Sequence, residues 1–439
     1  MKTIRIGSGA GFSGDRIEPA IVLAEKGALD YLVLECLAER TIALAQKRKL
    51  QDPSAGYDIL LEKRCRPLLP LLAANKVRLI SNMGAANPLA AAKKLQSTAN
   101  ELGLKLKIAA VTGDDVLEYV RQHAGNLKAM ETGGGIDTYT PVSANAYLGA
   151  EALLPALASG ADIIITGRVA DPSLFLAPMI HEFGWQLNDW QRLGQGTVIG
   201  HLLECAGQLT GGYYADTNKK QVPGLAHLGF PLAAVDANGE ATITKVENTG
   251  GIINSATAKE QLLYEVVNPS AYLTPDVSAD FTRVQIHEAG ADLIRVTGSS
   301  GTDRPAQLKA SVGYSAYYLG EGEITYGGTD CLQRAELAAA IIHERIGAQF
   351  EDVRADIIGV QSLYPSKQDA KPAEVRLRIA ARAKNIEAAM LIGEEVEALY
   401  TNGPAGGGGV RKSATEQIGI VSCLVPRDII KIETHYFES

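Results

Sequence analysis

The sequence lacks the usual motifs of metal, redox and nucleophile chemistry. Its five cysteines are dispersed, with no C-x-x-C pair and no spacing typical of metal ligands. It contains no H-E-x-x-H motif, no G-x-S-x-G nucleophile elbow and no Walker phosphate loop. We therefore expect no metal and no cofactor, and we expect reduced cysteines of the kind found in cytoplasmic proteins.

Positive charge and long apolar runs are also scarce. The formal net charge is −8 at pH 7, which argues against a nucleic-acid partner because such proteins need a basic face. No run approaches the roughly 18 apolar residues of a membrane span. The first four residues open a predicted strand rather than a signal peptide. The sequence thus predicts a cytoplasmic protein with neither a membrane nor a nucleic-acid partner.

What the chain does contain is a regular strand–helix alternation. It has 439 residues, of which 46% are hydrophobic, so we expect two or more domains with large cores. Helical patterns separate short apolar runs in the first half, which predicts an α/β fold with a mostly parallel sheet and flanking helices. The predicted strands are residues 4–6, 31–34, 77–81, 106–111 and 162–166.

The pattern changes at about residue 223. Turns and β-like runs replace the alternation, and helical patterns return at 331–346 and 383–398. We predict a mixed α+β C-terminal half, with domains at 1–222 and 223–439. The size of the chain suggests a homo-oligomer.

A glycine-rich turn follows the first predicted strand. It contains Gly9, Gly11 and Gly14, and a helical pattern begins at residue 17. Backbone N–H groups in such a turn, with a helix N-terminus behind them, favour an anionic ligand. The turn therefore predicts binding of a small anion such as a carboxylate or a phosphate.

Polar residues also follow the other predicted strands of the parallel sheet. Because the carboxyl ends of parallel strands share one edge, these residues are expected to form one pocket. The alternative is that they only cap helices and make turns. The candidates are Glu35 and Glu39 after the second strand, Asn82 and Gly84 after the third, and Gly167 and Arg168 after the fifth.

Each candidate side chain allows a structural and a functional interpretation. Asp15 is an N-cap or an acid/base group, and Arg16 is solvated or clamps a carboxylate. Glu35 belongs to an acidic helix start, or it is a general base with a raised pKa. Arg168 is an anion clamp or the partner of Asp171 in an ion pair.

The run from Gly9 to Gly14 also fits G-x-G-x-x-G, and Glu35 lies 21 residues beyond Gly14. This spacing allows a dinucleotide site. Pro19 predicts that the helix starts later than in that motif, and Asp15 puts negative charge where a pyrophosphate would lie. A nicotinamide-dependent dehydrogenase is therefore an alternative function.

Two further features leave alternatives open. His201 and Glu204 are three residues apart on a predicted helix, but a metal site needs more ligands. Residues 406–409 are four consecutive glycines, followed by Val410 and Arg411. They form a flexible tether or, through Gly407, Gly408 and Arg411, a backbone nest for an anion.

Four sequence blocks make the chain recognisable. It resembles the acyclic terpene utilisation family (AtuA-like proteins) in GAGFSGDR (9–16), YLVLECLAERT (31–41), NMGAANP (82–88) and ITGRVAD (165–171). The resemblance covers nearly the whole chain and implies catabolism of branched carboxylates or acyl-CoA esters. It also implies a short form without the extra C-terminal domain of longer members, together with a small partner protein.

Taken together, these observations lead to a functional hypothesis. We expect a lyase, either a hydro-lyase (hydratase) or a carbon–carbon lyase, that acts on a small anionic substrate by carboxylate acid/base chemistry. Glu35 or Asp15 would move the proton, Asn82 would orient the substrate, and Arg168 with the glycine-rich turn would hold its anionic part. The alternative from another class is a non-catalytic ligand-binding subunit that works with a small partner.

Overall fold

The computed structural model describes residues 2–364 and 371–439. Two compact units make up the chain: Met1–Gly313 with Ile420–Ser439, and Tyr314–Gly419. These units differ from the expected domains 1–222 and 223–439. The reason is that strands from beyond residue 222 pair in the same sheet as the first strands of the chain.

The described residues form eleven α-helices and eighteen strands, numbered here in chain order. The helices are α1 (Glu18–Lys26), α2 (Glu39–Gln51), α3 (Leu61–Asn75), α4 (Pro88–Glu101), α5 (Leu117–His123), α6 (Leu154–Ala158), α7 (Asp171–Phe183), α8 (Trp190–Glu204), α9 (Ser255–Leu263), α10 (Cys331–Ile346) and α11 (Ile386–Asn402). The strands are β1 (Thr3–Ala10), β2 (Tyr31–Leu34), β3 (Arg78–Ser81), β4 (Lys107–Thr112), β5 (Pro141–Ala146), β6 (Ile163–Thr166), β7 (Pro231–Asp236), β8 (Ala241–Lys245), β9 (Tyr272–Leu273), β10 (Ser278–Asp280), β11 (Gln285–Gly290), β12 (Leu293–Thr297), β13 (Ser300–Thr302), β14 (Gln307–Gly327), β15 (Val353–Ile358), β16 (Glu374–Ala383), β17 (Gly408–Pro426) and β18 (Glu433–Glu438).

A ten-stranded mixed sheet organises the first unit. Its order is β11-β12-β8-β7-β1-β2-β3-β6-β4-β18. The five central strands run parallel, and the strands added at both edges run antiparallel to their neighbours. The α/β class with a large mixed sheet is therefore confirmed. The parallel core matches all five predicted strands, but the second predicted half contributes strands to the same sheet.

The central strands are apolar on both faces because helices cover both. On β2, Leu32 and Leu34 pack with the cluster that contains α1, α3 and α4. Tyr31 and Val33 point the other way and pack with the cluster that contains α7 and α8. This alternation explains why the strands read as short, wholly apolar runs rather than as alternating ones.

Local sequence signals set the helix starts near the sheet edge. The side chain of Asn87 accepts from the Ala90 N–H at 3.3 Å, and Pro88 occupies the first turn of α4. Pro172 likewise lies in the first turn of α7. Proline is favoured there because its missing N–H would have no partner inside the helix. These signals let the polar residues after β3 and β6 begin helices close to the strand ends.

One predicted helical segment, 144–159, is mostly not helical. Its first residues belong to β5, and only Leu154–Ala158 forms an α-helix. The Ala146 N–H donates to the Asp114 carbonyl at 2.7 Å, and the Val116 N–H donates to the Ala144 carbonyl at 2.9 Å. Pairing with this neighbouring segment takes the backbone groups that a helix would have used.

The second unit is a sheet with two helices on one face. Strand β15 pairs with β16, β16 pairs with β14, and β14 neighbours β17. Ile324 and Leu377 pack on that face with Ala338 of α10 and Val396 of α11. Within residues 2–364 and 371–439, no helix of either unit is long and apolar enough to span a membrane.

Candidate active site

A cavity of about 730 Å³ lies in the first unit, at the carboxyl ends of β1, β2 and β6. The parallel arrangement brings the segments after these strands to a common edge. Segments from later in the chain complete the walls. Most lining residues come from segments 11–13, 35–39, 168–172, 204–208, 264–275 and 305–309, and the others are Thr41, Met130, Tyr147 and Leu424.

Glu35 follows β2 directly and is buried in the cavity wall. Its Oε1 accepts hydrogen bonds from the Leu37 N–H and from Nδ2 of Asn82, both at 2.9 Å. Burial raises the pKa of Glu35 well above its usual range, and the carboxylate of Asp171 adds to the shift. The raised pKa favours the protonated form of Glu35, which suits a proton donor; the role of general base that the sequence suggested stays a prediction.

Asn82 is fully buried behind Glu35. Its Oδ1 accepts from the Cys36 N–H at 2.7 Å, and its Nδ2 binds Glu35. It is not among the residues that line the cavity. The side chain therefore orients Glu35, whereas the sequence suggested that it would orient the substrate.

The protein itself engages most of the Arg168 side chain. Its Nη2 lies 2.8 Å from Oδ1 of Asp171, and its Nη1 donates to the Leu37 carbonyl. The Tyr147 ring stacks on the guanidinium, 4.1 Å from its central carbon. Only 2% of the side chain is exposed. The ion pair with Asp171 left open by the sequence is thus present; its arginine is buried, whereas 34% of the Asp171 side chain is exposed.

Asp171 begins α7 and faces the cavity. Burial raises its pKa to about 7, although the adjacent Arg168 opposes the shift. This carboxyl group changes its protonation near neutral pH. Arg168 bonds directly to Asp171, which favours the ionised form of this carboxyl group over that of Glu35.

A third carboxylate, Glu39, behaves in the opposite way. Burial raises its pKa, but the Tyr147 hydroxyl, Arg168 and Lys309 outweigh that effect and bring the pKa to about 2. The Lys309 ammonium lies 3.4 Å from Glu39 and 4.9 Å from the centre of the Tyr147 ring. The cavity wall therefore combines one carboxyl group whose pKa is lowered, Glu39, with two whose pKa values are raised, Glu35 and Asp171.

Tyr147 and Lys309 line the cavity, although neither was among the site residues predicted from the sequence. Tyr147 follows β5 in the segment predicted as helix, and Lys309 lies in the long strand β14. Their backbones are joined, because the Tyr147 N–H donates to the Lys309 carbonyl at 2.9 Å. No motif marks either residue, so only this pairing could have placed them at the edge of the sheet.

The glycine-rich turn differs in detail from the expected anion nest. The Gly11 N–H donates to Oδ2 of Asp15 at 3.0 Å, and the Arg16 N–H donates to Oδ1 at 2.8 Å. The carboxylate of Asp15 thus occupies the donors that were assigned to a substrate anion. Asp15 and Arg16 line a neighbouring cavity of about 430 Å³.

The other predicted glycines serve close packing. A Cβ on Gly9 would lie 2.7 Å from Leu34, and one on Gly14 would lie 2.7 Å from the Phe12 ring. Equivalent Cβ atoms would lie 2.4 Å from the Thr166 carbonyl oxygen at Gly84, and 2.5 Å from the Asp114 carboxylate at Gly167. Among these predicted glycines of the first unit, only Gly11 lines the cavity.

The glycine run near the C-terminus belongs to the second unit. Gly408 begins β17, and Gly407 packs so closely that a Cβ would lie 3.1 Å from the Tyr326 ring. Arg411 is an exposed residue of the same strand. The assignment of Gly407, Gly408 and Arg411 to an anion site stays a prediction.

The sheet order also differs from that of the dinucleotide fold. There the first strand has parallel neighbours on both sides, in the order 3-2-1-4-5-6. Here β1 lies between parallel β2 and antiparallel β7. Helix α1 begins only at Glu18. The G-x-G-x-x-G match therefore stands in a different architecture.

His201 and Glu204 form a buried pair at the end of α8. Nδ1 of His201 lies 2.8 Å from Oε1 of Glu204. Burial lowers the pKa of His201, but Glu204 outweighs that effect and the pKa is raised. Glu204 lines the cavity. Among the described residues, no three His, Cys, Asp or Glu side chains are placed to hold a metal ion.

Comparison with known proteins identifies the family. The profile of the acyclic terpene utilisation family protein AtuA matches residues 4–436 of this chain. Searches of curated proteins and of solved structures found no match. The four sequence blocks that carry the resemblance lie within the matched range. The chain therefore belongs to the AtuA family, and this membership indicates a role in acyclic terpene utilisation.

Proposed function

We propose that the 730 Å³ cavity is the active site of a lyase, acting as a hydratase or dehydratase on a small branched carboxylate or its acyl-CoA ester. The observation that carries this proposal is the pair Glu35 and Asp171. Both carboxyl groups line one cavity, and burial raises the pKa of each. Pairs of carboxyl groups with separated pKa values supply the acid and the base of many enzymes.

The roles follow from which group ionises first. Ionised Asp171 takes a proton from the carbon beside the substrate carbonyl, and the electron pair of that C–H bond forms a carbon–carbon double bond. Protonated Glu35 donates its proton to the departing hydroxyl group, which leaves as water. Exchange with solvent then returns a proton to Glu35 and removes one from Asp171. The reverse sequence hydrates the double bond.

The lining of the cavity supports a substrate with an apolar body and a charged end. Leu37, Met130, Leu273 and Leu424 contribute apolar walls, which suit branched alkyl groups. Arg168 is engaged by the protein, whereas the side chain of Lys309 is 40% exposed. We assign to Lys309 the binding of the substrate's negative charge.

A ligand screen followed by a chemical assay tests the proposal. The intact protein is heated with branched acids, their 3-hydroxy forms, the matching CoA esters, and NAD(P)(H). Ligand at about 100 times its Kd should add about 2.7 kcal/mol to the free energy of unfolding. NMR then follows formation or loss of the double bond with each stabilising compound.

Each outcome of the screen has a distinct meaning. A stabilising acid or ester that is dehydrated or hydrated supports the lyase. Stabilisation without any conversion contradicts it and favours the ligand-binding subunit. Stabilisation by a dinucleotide alone would revive the dehydrogenase.

A further inference from the structure

One face of α8 carries polar atoms without partners. Two buried atoms, Oε2 of Glu204 and Nε2 of His201, have no hydrogen-bond partner among the described residues. Glu204 is 8% exposed and His201 is fully buried. A buried charged group with an unmet hydrogen bond is costly, so such groups in folded proteins call for an explanation. Oε2 has almost no accessible surface, but Glu204 lines the cavity, and a small rotation of its carboxylate would let a ligand supply the missing partner.

The surroundings of Glu204 favour a hydrogen-bond donor. Asp171 and Glu265 also line this part of the cavity, as does the Tyr272 ring. The charges of Glu204 and Glu265 both raise the pKa of Asp171, as expected of like charges that lie close together. A negatively charged region of this kind attracts an N–H or O–H hydrogen and repels an anion.

His201 binds one oxygen of the Glu204 carboxylate, Oε1. Its ring lies between aromatic neighbours, with centroids 5.1 Å from Tyr272 and 5.3 Å from Phe281. The Gln261 amide donates to the His201 carbonyl at 3.1 Å. Since His201 occupies Oε1, only Oε2 is left for a ligand.

We propose that Oε2 of Glu204 accepts a hydrogen from an ammonium or a hydroxyl group of the substrate. This subsite rests on the proposed function only for its location in the active-site cavity. It adds a requirement that the acid/base pair does not impose: the substrate carries a donor group besides its anionic end. An ammonium group would make the reaction an ammonia elimination, and a hydroxyl group would make it a dehydration.

Three acids with one branched skeleton test the subsite. They are 3-methylbutanoate, 3-hydroxy-3-methylbutanoate and 3-amino-3-methylbutanoate, and calorimetry measures their binding to the intact protein. We expect one donor-bearing acid to bind at least tenfold more tightly than 3-methylbutanoate, as for a hydrogen bond to a charged group. Whether the amino or the hydroxy acid is preferred identifies the donor.

Two matched variants locate the effect. Glu204→Gln should abolish the preference, because the amide presents a donor or a weaker acceptor in place of Oε2. Glu265→Gln removes the same charge from an exposed residue of the same cavity and should keep the preference. An equal loss in both variants would mean that general acidity, not Glu204, selects the ligand, and would overturn the proposal.

The remaining outcomes separate the subsite from the lyase. Equal or absent binding of the three acids to the wild-type protein overturns the subsite. A preference that Glu204→Gln abolishes, in a protein without turnover, keeps the subsite and removes the lyase. Turnover without any such preference supports the lyase and overturns the subsite.

Discussion

Arginine–carboxylate pairs occur in both units, but in different surroundings. In the second unit, Arg345 binds Glu395 through two hydrogen bonds of 2.6 and 2.9 Å, and 60% of the Arg345 side chain is exposed. In the first unit, Arg168 is 2% exposed and binds Asp171 at the cavity wall. The arginine is thus exposed in one pair and buried in the other, while the carboxylates are 15% exposed for Glu395 and 34% exposed for Asp171.

The pKa values of the two carboxyl groups shift in opposite directions. Hydrogen bonding to Arg345 lowers the pKa of Glu395. Burial raises the pKa of Asp171 to about 7 despite Arg168. An arginine partner therefore does not by itself decide the pKa of a carboxyl group, because Asp171 also lies in the cavity wall near the like charges of Glu204, Glu39 and Glu265, which raise its pKa.

Removal of the buried arginine should produce the largest effect on stability. Arg168→Met leaves Asp171 and the Leu37 carbonyl without their partner, and we expect a loss of about 3–5 kcal/mol in the free energy of unfolding. Arg345→Met is the matched change in the second unit and should cost clearly less, because the side chain of Arg345 is largely exposed. Urea unfolding followed by circular dichroism measures both, and equal losses would contradict the contrast between the units.

Neutralising Glu35 should affect catalysis more than folding. Glu35→Gln removes the proton donor, so turnover of the active compound should fall roughly 10²-fold or more. Glu395→Gln, in the second unit, should leave turnover unchanged. Circular dichroism checks that both variants fold, and a folded Glu35→Gln protein with full turnover would exclude Glu35 from the reaction.

The pH dependence of stability should differ in sign between the units. Burial raises the pKa of Asp276 to about 6, although Ser173 and the Ala150 N–H bind its carboxylate. The pKa of Asp276 is higher in the folded than in the unfolded protein, so the folded state binds the proton more tightly. The contribution of Asp276 to stability is therefore fully present below about pH 4 and is lost as the pH rises through 6. The free energy of unfolding of Asp276→Asn should therefore rise relative to that of the wild type as the pH increases from 4 to 7.

The matched change in the second unit should show the reverse. Because the pKa of Glu395 is lowered in the folded protein, its contribution to stability is present when the pH is above its pKa in the unfolded protein, and it is lost as the pH falls. Glu395→Gln should be less stable than the wild type at pH 7, with the difference shrinking in acid. Thermal unfolding at several pH values measures both variants, and parallel curves would contradict the assignment of opposite shifts.

The sequence predicted the regular elements best. The five parallel strands were found because both of their faces are apolar, and the predicted bounds of α10 coincide with the observed ones. Segment 144–159 was assigned to a helix because its pairing partners lie far along the chain. Local patterns carry no information about such a contact.

The candidate site was only partly visible in the sequence. Strand-end position pointed to Glu35 and Arg168, which both line the cavity. Nothing local showed that Arg168 would be engaged by the protein, or that Asp15 would bind its own turn. Lys309 lies 270 residues from its partner Glu39, so only the folded chain brings them together.

Hydrogen exchange at the substrate tests the division of roles between Asp171 and Glu35 most directly. The stabilising compound is incubated in D₂O, and NMR follows deuterium entering at the carbon beside the carbonyl. The wild type should catalyse this exchange, with a rate that rises through about pH 7 as Asp171 ionises. Asp171→Asn should lose it, whereas Glu35→Gln should retain exchange and lose only the elimination of water. Exchange that persists in Asp171→Asn, or that vanishes in Glu35→Gln alone, would contradict the account.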